Sequence, residues 1–197
     1  MADMSQAQIN PNTQALAKAE TERRAAALVN KGVDGLEQGR FEEALSAFNE
    51  AIGLKPDMAL AYFNRGILFR AISKIDLMAA DFEKAILLDP NQAEMLKNIG
   101  VFLVMEGRAL AAIAVLQRCI ELMPDSETAW LTLLDAHYLL GNIETALKLC
   151  DHVAKKFPKN TAIRVADALF VPQISMSQAD IDQNRARIKQ KLDAFLK

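Results

Sequence analysis

Four stretches decide the fold: Glu50-Ala-Ile-Gly-Leu-Lys-Pro56, Lys84-Ala-Ile-Leu-Leu-Asp-Pro90, Arg118-Cys-Ile-Glu-Leu-Met-Pro124 and His152-Val-Ala-Lys-Lys-Phe-Pro158. Their prolines stand 34 residues apart three times over. A proline cannot continue a helix and disfavours helix at the residue before it, so each stretch reads as the end of a helix. Working back from each proline, the same period returns small and bulky residues in fixed places. Counting 34-residue units from residues 25, 59, 93 and 127, place 8 holds Gly32, Gly66, Gly100 and Leu134, and place 20 holds Ala44, Met78, Ala112 and Ala146. Place 24 holds Phe48, Phe82, Leu116 and Cys150, and place 27 holds Ala51, Ala85, Cys119 and Val153.

Each unit carries two apolar stripes at helical spacing. Leu96, Ile99, Gly100 and Leu103 form the first in unit 3, and Ala112, Val115, Leu116 and Cys119 form the second. Small residues at places 8 and 20 let the two helices approach closely. One helix pair cannot bury its stripe alone, so the units must stack. Burying one large aliphatic side chain contributes about 1.5–3 kcal/mol, so each stacking interface gains several kcal/mol before ordering entropy is subtracted.

This pattern resembles the tetratricopeptide repeat, which is small at 8 and 20, bulky at 24, small at 27 and proline at 32. The resemblance implies an all-α, right-handed superhelical solenoid of four 34-residue helix-turn-helix repeats, with a C-terminal capping helix. The units are 25–58, 59–92, 93–126 and 127–160, aligned without a gap. Three places depart from the pattern: Gly35 replaces an aromatic at place 11 of unit 1, Met78 replaces a small residue, and Leu134 replaces glycine. The last of these predicts a wider spacing between the two helices of unit 4.

Composition agrees with helices packed on helices. The 197 residues are 51 % hydrophobic and 24 % charged, with 6 % aromatics, 8 glycines and 6 prolines. The 23 lysines and arginines offset all but two of the 25 acidic residues, and no basic block offers a nucleic-acid surface. No apolar run approaches the roughly 18 residues that cross a bilayer, so no membrane partner is expected. The stretch Met1 to Asn10 has neither the basic nor the apolar region of a secretory signal. Cys119 and Cys150 are therefore expected to be reduced thiols in a cytoplasmic protein.

The ends differ from the middle. Residues 1–24 read as a polar, partly helical segment. Residues 161–197 read as the first helix of an incomplete fifth repeat, ended by Pro172, and then an amphipathic helix. Ser177-Gln-Ala-Asp180 resembles a capping box, and Ile181, Ile188, Leu192 and Phe195 form one apolar stripe beyond it. This last helix is expected to cover the end of the stack, or else to dock another chain.

No catalytic, metal or cofactor motif is present: the chain has no phosphate-binding glycine loop, no H-E-x-x-H and no C-x-x-C. His137 falls at place 11, which packs inward, and His152 at place 26, expected on the surface. Cys119 and Cys150 occupy core places and should behave as small hydrophobes. The chain is thus expected not to be an enzyme.

The concave face is the candidate site. In the family it resembles, places 2, 5, 6, 9, 12 and 13 of the first helix line an inner groove. Place 6 holds Asn30, Asn64, Asn98 and Thr132. A primary amide offers both a donor and an acceptor, so an asparagine ladder can pair with the backbone of an extended ligand. A similar ladder holds substrate polypeptide in O-linked N-acetylglucosamine transferases; asparagine is also common at this place in the family at large. Two hydrogen bonds from each of three asparagines, at about 1 kcal/mol net, sum to about 6 kcal/mol, which supports only weak binding once association is subtracted. Apolar neighbours would add the rest: Val29, Phe63 and Leu131 beside Lys97 at place 5, Val33, Ile67 and Val101 beside Asp135 at place 9, and Leu36, Val104 and Tyr138 beside Arg70 at place 12. Such an apolar surface marks a partner site, unless the chain's own termini fill it. A clamp for two carboxylates, as in chaperone-binding members, is not expected, because unit 1 has Val29 and Val33 where that clamp needs basic residues.

The expected function is a non-catalytic module that binds a protein or peptide segment in this groove. Its candidate residues are Asn30, Asn64, Asn98, Phe63, Ile67, Lys97, Val101, Leu131 and Tyr138. A rival reading comes from the tail. Pro172, Ile174, Ser177, Asp180-Ile181, Arg185, Arg187 and Leu192 are similar to the connector of bacterial SPINDLY-like glycosyltransferases. That resemblance implies a substrate-recruiting region, or a partner, of such an enzyme, whose catalytic domain this chain does not contain. Self-association, with one copy's tail in the next copy's groove, is the third reading.

Overall fold

The computed structural model describes residues 11–160 and 178–195. Those residues form nine α-helices and no strand: α1 (Pro11–Glu37), α2 (Phe41–Leu54), α3 (Ala59–Ala71), α4 (Ile75–Leu88), α5 (Ala93–Met105), α6 (Ala109–Leu122), α7 (Glu127–Leu139), α8 (Ile143–Lys156) and α9 (Gln178–Phe195). The chain is an all-α helical repeat array, divided into two compact units at Pro90 and Asn91. The expected fifth-repeat helix, the connector residues Pro172, Ile174 and Ser177, and the side chains of Ile181, Leu192 and Phe195 lie outside the described residues.

In the first unit, α1 packs on α2 and α3 on α4, and α3 lies against both α1 and α2. In the second, α5 packs on α6 and α7 on α8, with α7 against α5 and α6. Every turn within a hairpin is built the same way. The residue three beyond the helix donates its N–H five residues back: Arg40 to Gly35, Lys74 to Phe69 and Arg108 to Leu103, each at 2.7 Å, and Asn142 to His137 at 3.0 Å. This wrapped C-cap needs a left-handed residue in between. Gly39, Gly107 and Gly141 supply it with φ near 71–72°. Ser73 supplies it in the second hairpin with φ 58°, at a steric cost that glycine avoids. The second helix of each pair ends at a residue with extended φ before proline: Lys55, Asp89, Met123 and Phe157 have φ between −140° and −119°. That is the conformation a following proline imposes.

The core is a series of knobs set over glycines. A Cβ on Gly66 would lie 2.6 Å from the Phe82 ring, and one on Gly32 or Gly100 would meet the Phe48 ring or the Leu116 side chain as closely. Phe48, Phe82 and Leu116 are fully buried in consequence. In the fourth hairpin the sizes are exchanged: Leu134 packs with Ala146 and Cys150. The backbones of α7 and α8 approach each other along less of their length than in the other pairs, as the leucine at place 8 requires. Met78, the other departure, is fully buried, and its unbranched chain adapts to the space.

Two polar devices supplement this packing. Arg65 on α3 makes a bidentate pair with Asp81 on α4, at 2.8 Å for both bonds, and also donates to Asn49 on α2 at 2.7 Å. Asp81 is only 6 % exposed, and its carboxylate raises the Arg65 guanidinium above its usual value. The guanidinium also lies over the Tyr62 and Phe69 rings. Breaking such a buried pair leaves an uncompensated charge. The second device is an aromatic latch at place 4: Tyr62 donates its hydroxyl to the Pro56 carbonyl, and Trp130 its indole N–H to the Pro124 carbonyl at 2.7 Å. Each latch ties one hairpin to the end of the preceding one.

Ser73 sets a direct test of the turn geometry. Ser73→Gly removes the left-handed penalty and should raise unfolding stability by about 0.5–1 kcal/mol in urea denaturation, net of glycine's greater chain entropy. Loss of stability would contradict the assigned turn.

Candidate functional site

The first helix of each hairpin, its A helix, is α1 or α3 in the first unit and α5 or α7 in the second, and the second is its B helix; each unit has its own A-helix face. Residues three, four and seven apart share a helix face, so Asn98, Val101 and Met105 line up on α5, and Leu131, Asp135 and Tyr138 on α7. On α1 the line is Asn30, Val33 and Glu37, and on α3 it is Phe63, Ile67 and Arg70.

In the first unit, Asn30 is exposed and Asn64 is half-buried. The Asn64 amide donates to the Leu60 carbonyl of its own helix at 2.8 Å, which commits one of its donors. Ile67 is half-buried, while Phe63 is 9 % exposed with its ring against Phe82 at 5.9 Å between centroids. Val29 belongs to the core with Phe48 and Leu68. The first unit's face is therefore less apolar toward solvent than its residue names imply, since place 5 turns inward here.

In the second unit, Lys97 is paired with Glu94 one turn away. Asn98, Val101 and Leu131 are half-buried, and Tyr138 is 37 % exposed. Thr132, which replaces asparagine at place 6, donates to the Thr128 carbonyl at 2.7 Å. Place 13 adds two side chains that residue-by-residue reading of places 5, 6, 9 and 12 passed over: Met105 is 61 % exposed and Leu139 58 %. The signal was present in the pattern, because place 13 is one turn beyond place 9 on the same face.

Asp135 stands among these apolar groups. Its side chain reaches solvent, yet the surrounding protein pushes its carboxyl above the ordinary carboxylate range. Burial is the cause, and no described cation offsets it. By contrast, Glu22 near the start of the array is held below its usual value by its hydrogen bond to Lys55, at 2.8 Å. That pair borders a cavity of about 220 Å³ between α1 and the turn after α2, lined also by Lys18, Thr21 and Pro56.

The described cysteines and histidines lie apart from one another, each in its own packing environment. Cys119 and Cys150 are buried thiols; Cys119 lies 3.4 Å from the Ala93 carbonyl, and burial pushes its thiol up, away from the reactive thiolate. His152 stacks against Trp130 at 5.0 Å, and His137 lies 3.5 Å from the Asn142 amide. Among the described residues, no group of three or more histidine, cysteine, aspartate or glutamate side chains could hold a metal ion. No described helix is long and apolar enough to cross a membrane.

Family models for the tetratricopeptide repeat match residues 36–72, 59–92 and 103–168. The chain belongs to the tetratricopeptide repeat family. A wheat (Triticum aestivum) Hsp70-Hsp90 organizing protein is 33 % identical over 106 residues of this repeat protein, which is 54 % of the chain but only 18 % of that relative's length. Among solved structures, YrrB, described as a repeat protein of this kind with an unusual peptide-binding site, matches with a TM-score of 0.66 at 20 % identity, over 93 % of this chain and 90 % of YrrB. The O-GlcNAc transferase of Thermobaculum terrenum matches with a TM-score of 0.55 at 25 % identity, over 71 % of this chain and 27 % of the transferase.

The raised Asp135 carboxyl sets a pH test. Its ionisation opposes folding, so the penalty is absent below the ordinary aspartate pKa of about 4 and grows as pH rises through the elevated native value. Asp135→Asn should therefore melt at a higher temperature than wild type at pH 7, and the difference should close as pH falls below about 4. An equal or lower melting temperature at pH 7 would refute the desolvated setting.

Proposed function

We propose that this repeat protein is a non-catalytic, cytoplasmic interaction module that holds a polypeptide segment against its A-helix faces. The observation that carries the reading is the surface itself. In each unit, half-buried or exposed apolar side chains share the first-helix faces with amides that can pair with a peptide backbone: Ile67 with Asn30 and Asn64 in the first unit, and Val101, Leu131 and Tyr138 with Asn98 in the second. Polypeptide binding by relatives of the same fold supports it: YrrB is described by its peptide-binding site, and the wheat protein by its organisation of two chaperones. Asn30 and Asn98 contribute backbone pairing most readily, because Asn64 must first release its own helix. Lys97 contributes through its aliphatic stem, since its ammonium is paired with Glu94. Phe63 contributes only a ring edge.

A second reading is favoured by the transferase match at 25 % identity. In it, the same faces recruit polypeptide substrate for a protein glycosyltransferase whose catalytic domain lies elsewhere. Both readings require the same binding surface and differ in what is attached to it. Co-purification of glycosyltransferase activity with the full chain would support the second reading.

The shared surface is tested by pull-down from extract with wild type and with Asn30→Ala/Asn64→Ala/Asn98→Ala. At about 1 kcal/mol for each asparagine, the variant should bind retained polypeptide on the order of a hundredfold more weakly, with its melting curve preserved. Equal retention by the two proteins would reject the asparagines as ligands.

A further inference from the structure

Charge on the A-helix face of the second unit is almost entirely cancelled. Glu94 and Lys97 pair with each other on α5, and the other face positions are Asn98, Val101, Val104 and Met105. On α7 the face positions are Thr128, Leu131, Thr132, Asp135, Tyr138 and Leu139. Asp135 is the one formal charge left over, and it makes no hydrogen bond or ion pair with any described residue. In the first unit the same place holds Val33 and Ile67, so this carboxylate is particular to the second.

We propose that this face selects a polypeptide segment with a lysine or arginine flanked by apolar residues, the cation meeting Asp135 and the apolar neighbours meeting Val101, Leu131 and Tyr138. The inference rests on the binding surface proposed above and names the chemistry of its ligand. The Asp135 carboxylate is exposed, and Leu131, Tyr138 and Leu139 stand one helical turn from it on α7, so an incoming ammonium or guanidinium can reach it and pair with it while its apolar neighbours meet theirs. An isolated charge in an apolar frame also discriminates, because a neutral or acidic residue at that point leaves the carboxylate unpaired or repelled. The spacing suits an extended ligand. Leu131 and Tyr138 lie roughly 6 and 4.5 Å from Asp135 along the helix axis, and same-side residues of an extended chain are roughly 6.8 Å apart. The apolar residues thus fall within two positions of the basic one. The raised Asp135 carboxyl agrees with this picture, since a cation would return it toward its ordinary range.

The test is selection of a phage-displayed library of random dodecapeptides on the full chain, followed by fluorescence anisotropy with one labelled, enriched peptide. Wild type should enrich lysine or arginine between apolar residues. Asp135→Asn should bind the chosen peptide about tenfold more weakly while keeping a cooperative melt, and Asp135→Lys should enrich aspartate or glutamate at the central position instead. Raising the salt should weaken wild-type binding more than binding to Asp135→Asn. Enrichment of apolar peptides without a basic residue would overturn this inference and leave the binding surface standing. Enrichment of no peptide would overturn both. A concentration-dependent wild-type mass by light scattering that Asp135→Asn abolishes would overturn it too, by making a second copy the occupant.

Discussion

The whole array depends on how closely the two helices of a hairpin can come together. At three hairpins the limit is set by a glycine at place 8 receiving a phenylalanine or leucine from place 24, so close that even a methyl group on the glycine would collide. The fourth hairpin meets the same demand with the sizes exchanged, Leu134 over Cys150, and with helices less closely apposed. What the sequence conserves from unit to unit is thus a combined volume, not a residue. Turns and helix ends follow from it. A hairpin whose helices touch needs a short left-handed cap, supplied by Gly39, Gly107, Gly141 and, under strain, Ser73.

This packing also accounts for where function can reside. The inner stripes of both helices in each hairpin are taken up by the core. Apolar side chains stay exposed on the second helices too, Leu77 and Leu87 on α4 and Leu110 on α6, while the outer edge of α1, α3, α5 and α7 carries the asparagines, and that edge is not uniform. In the first unit Val29 and Phe63 turn into the core, leaving amides and Ile67 at the surface. In the second unit Tyr138 and Leu139 stay exposed one turn from Asp135 on α7, and Met105 stays exposed on α5. One fold therefore presents a sparse polar face and an apolar face with one charge, and the difference lies in a few side chains rather than in the backbone.

Much of the fold was legible in the amino-acid sequence, because its determinants repeat. Prolines 34 residues apart, small residues at fixed places and apolar stripes of helical period all mark local, periodic demands. The exchange at Leu134 was legible for the same reason. The Arg65–Asp81–Asn49 cluster was not: charges sixteen residues apart on different helices carry no mark in a linear chain that they will meet. The site was read less completely than the fold. Its proposed places lie on the first helices of the hairpins, but whether a side chain at place 5 faces outward or the core depends on local packing, as Phe63 against Phe82 shows. Likewise, nothing in the sequence announces that the Asn64 amide bonds to Leu60, since a rotamer choice settles it. Asp135 was visible as a lone acid among apolar residues, but its desolvation is a property of three dimensions.

The claim that combined volume at places 8 and 24 governs the array is tested most directly by moving the fourth hairpin's pair into the second. Unfolding stability would be measured in urea for Gly66→Leu, Phe82→Cys and the double variant. Gly66→Leu should cost about 3 kcal/mol or more by overpacking, and Phe82→Cys a similar amount by leaving a cavity. The double variant should recover at least about 1.5 kcal/mol relative to their sum. Additive losses, or a double variant worse than the sum, would contradict the account.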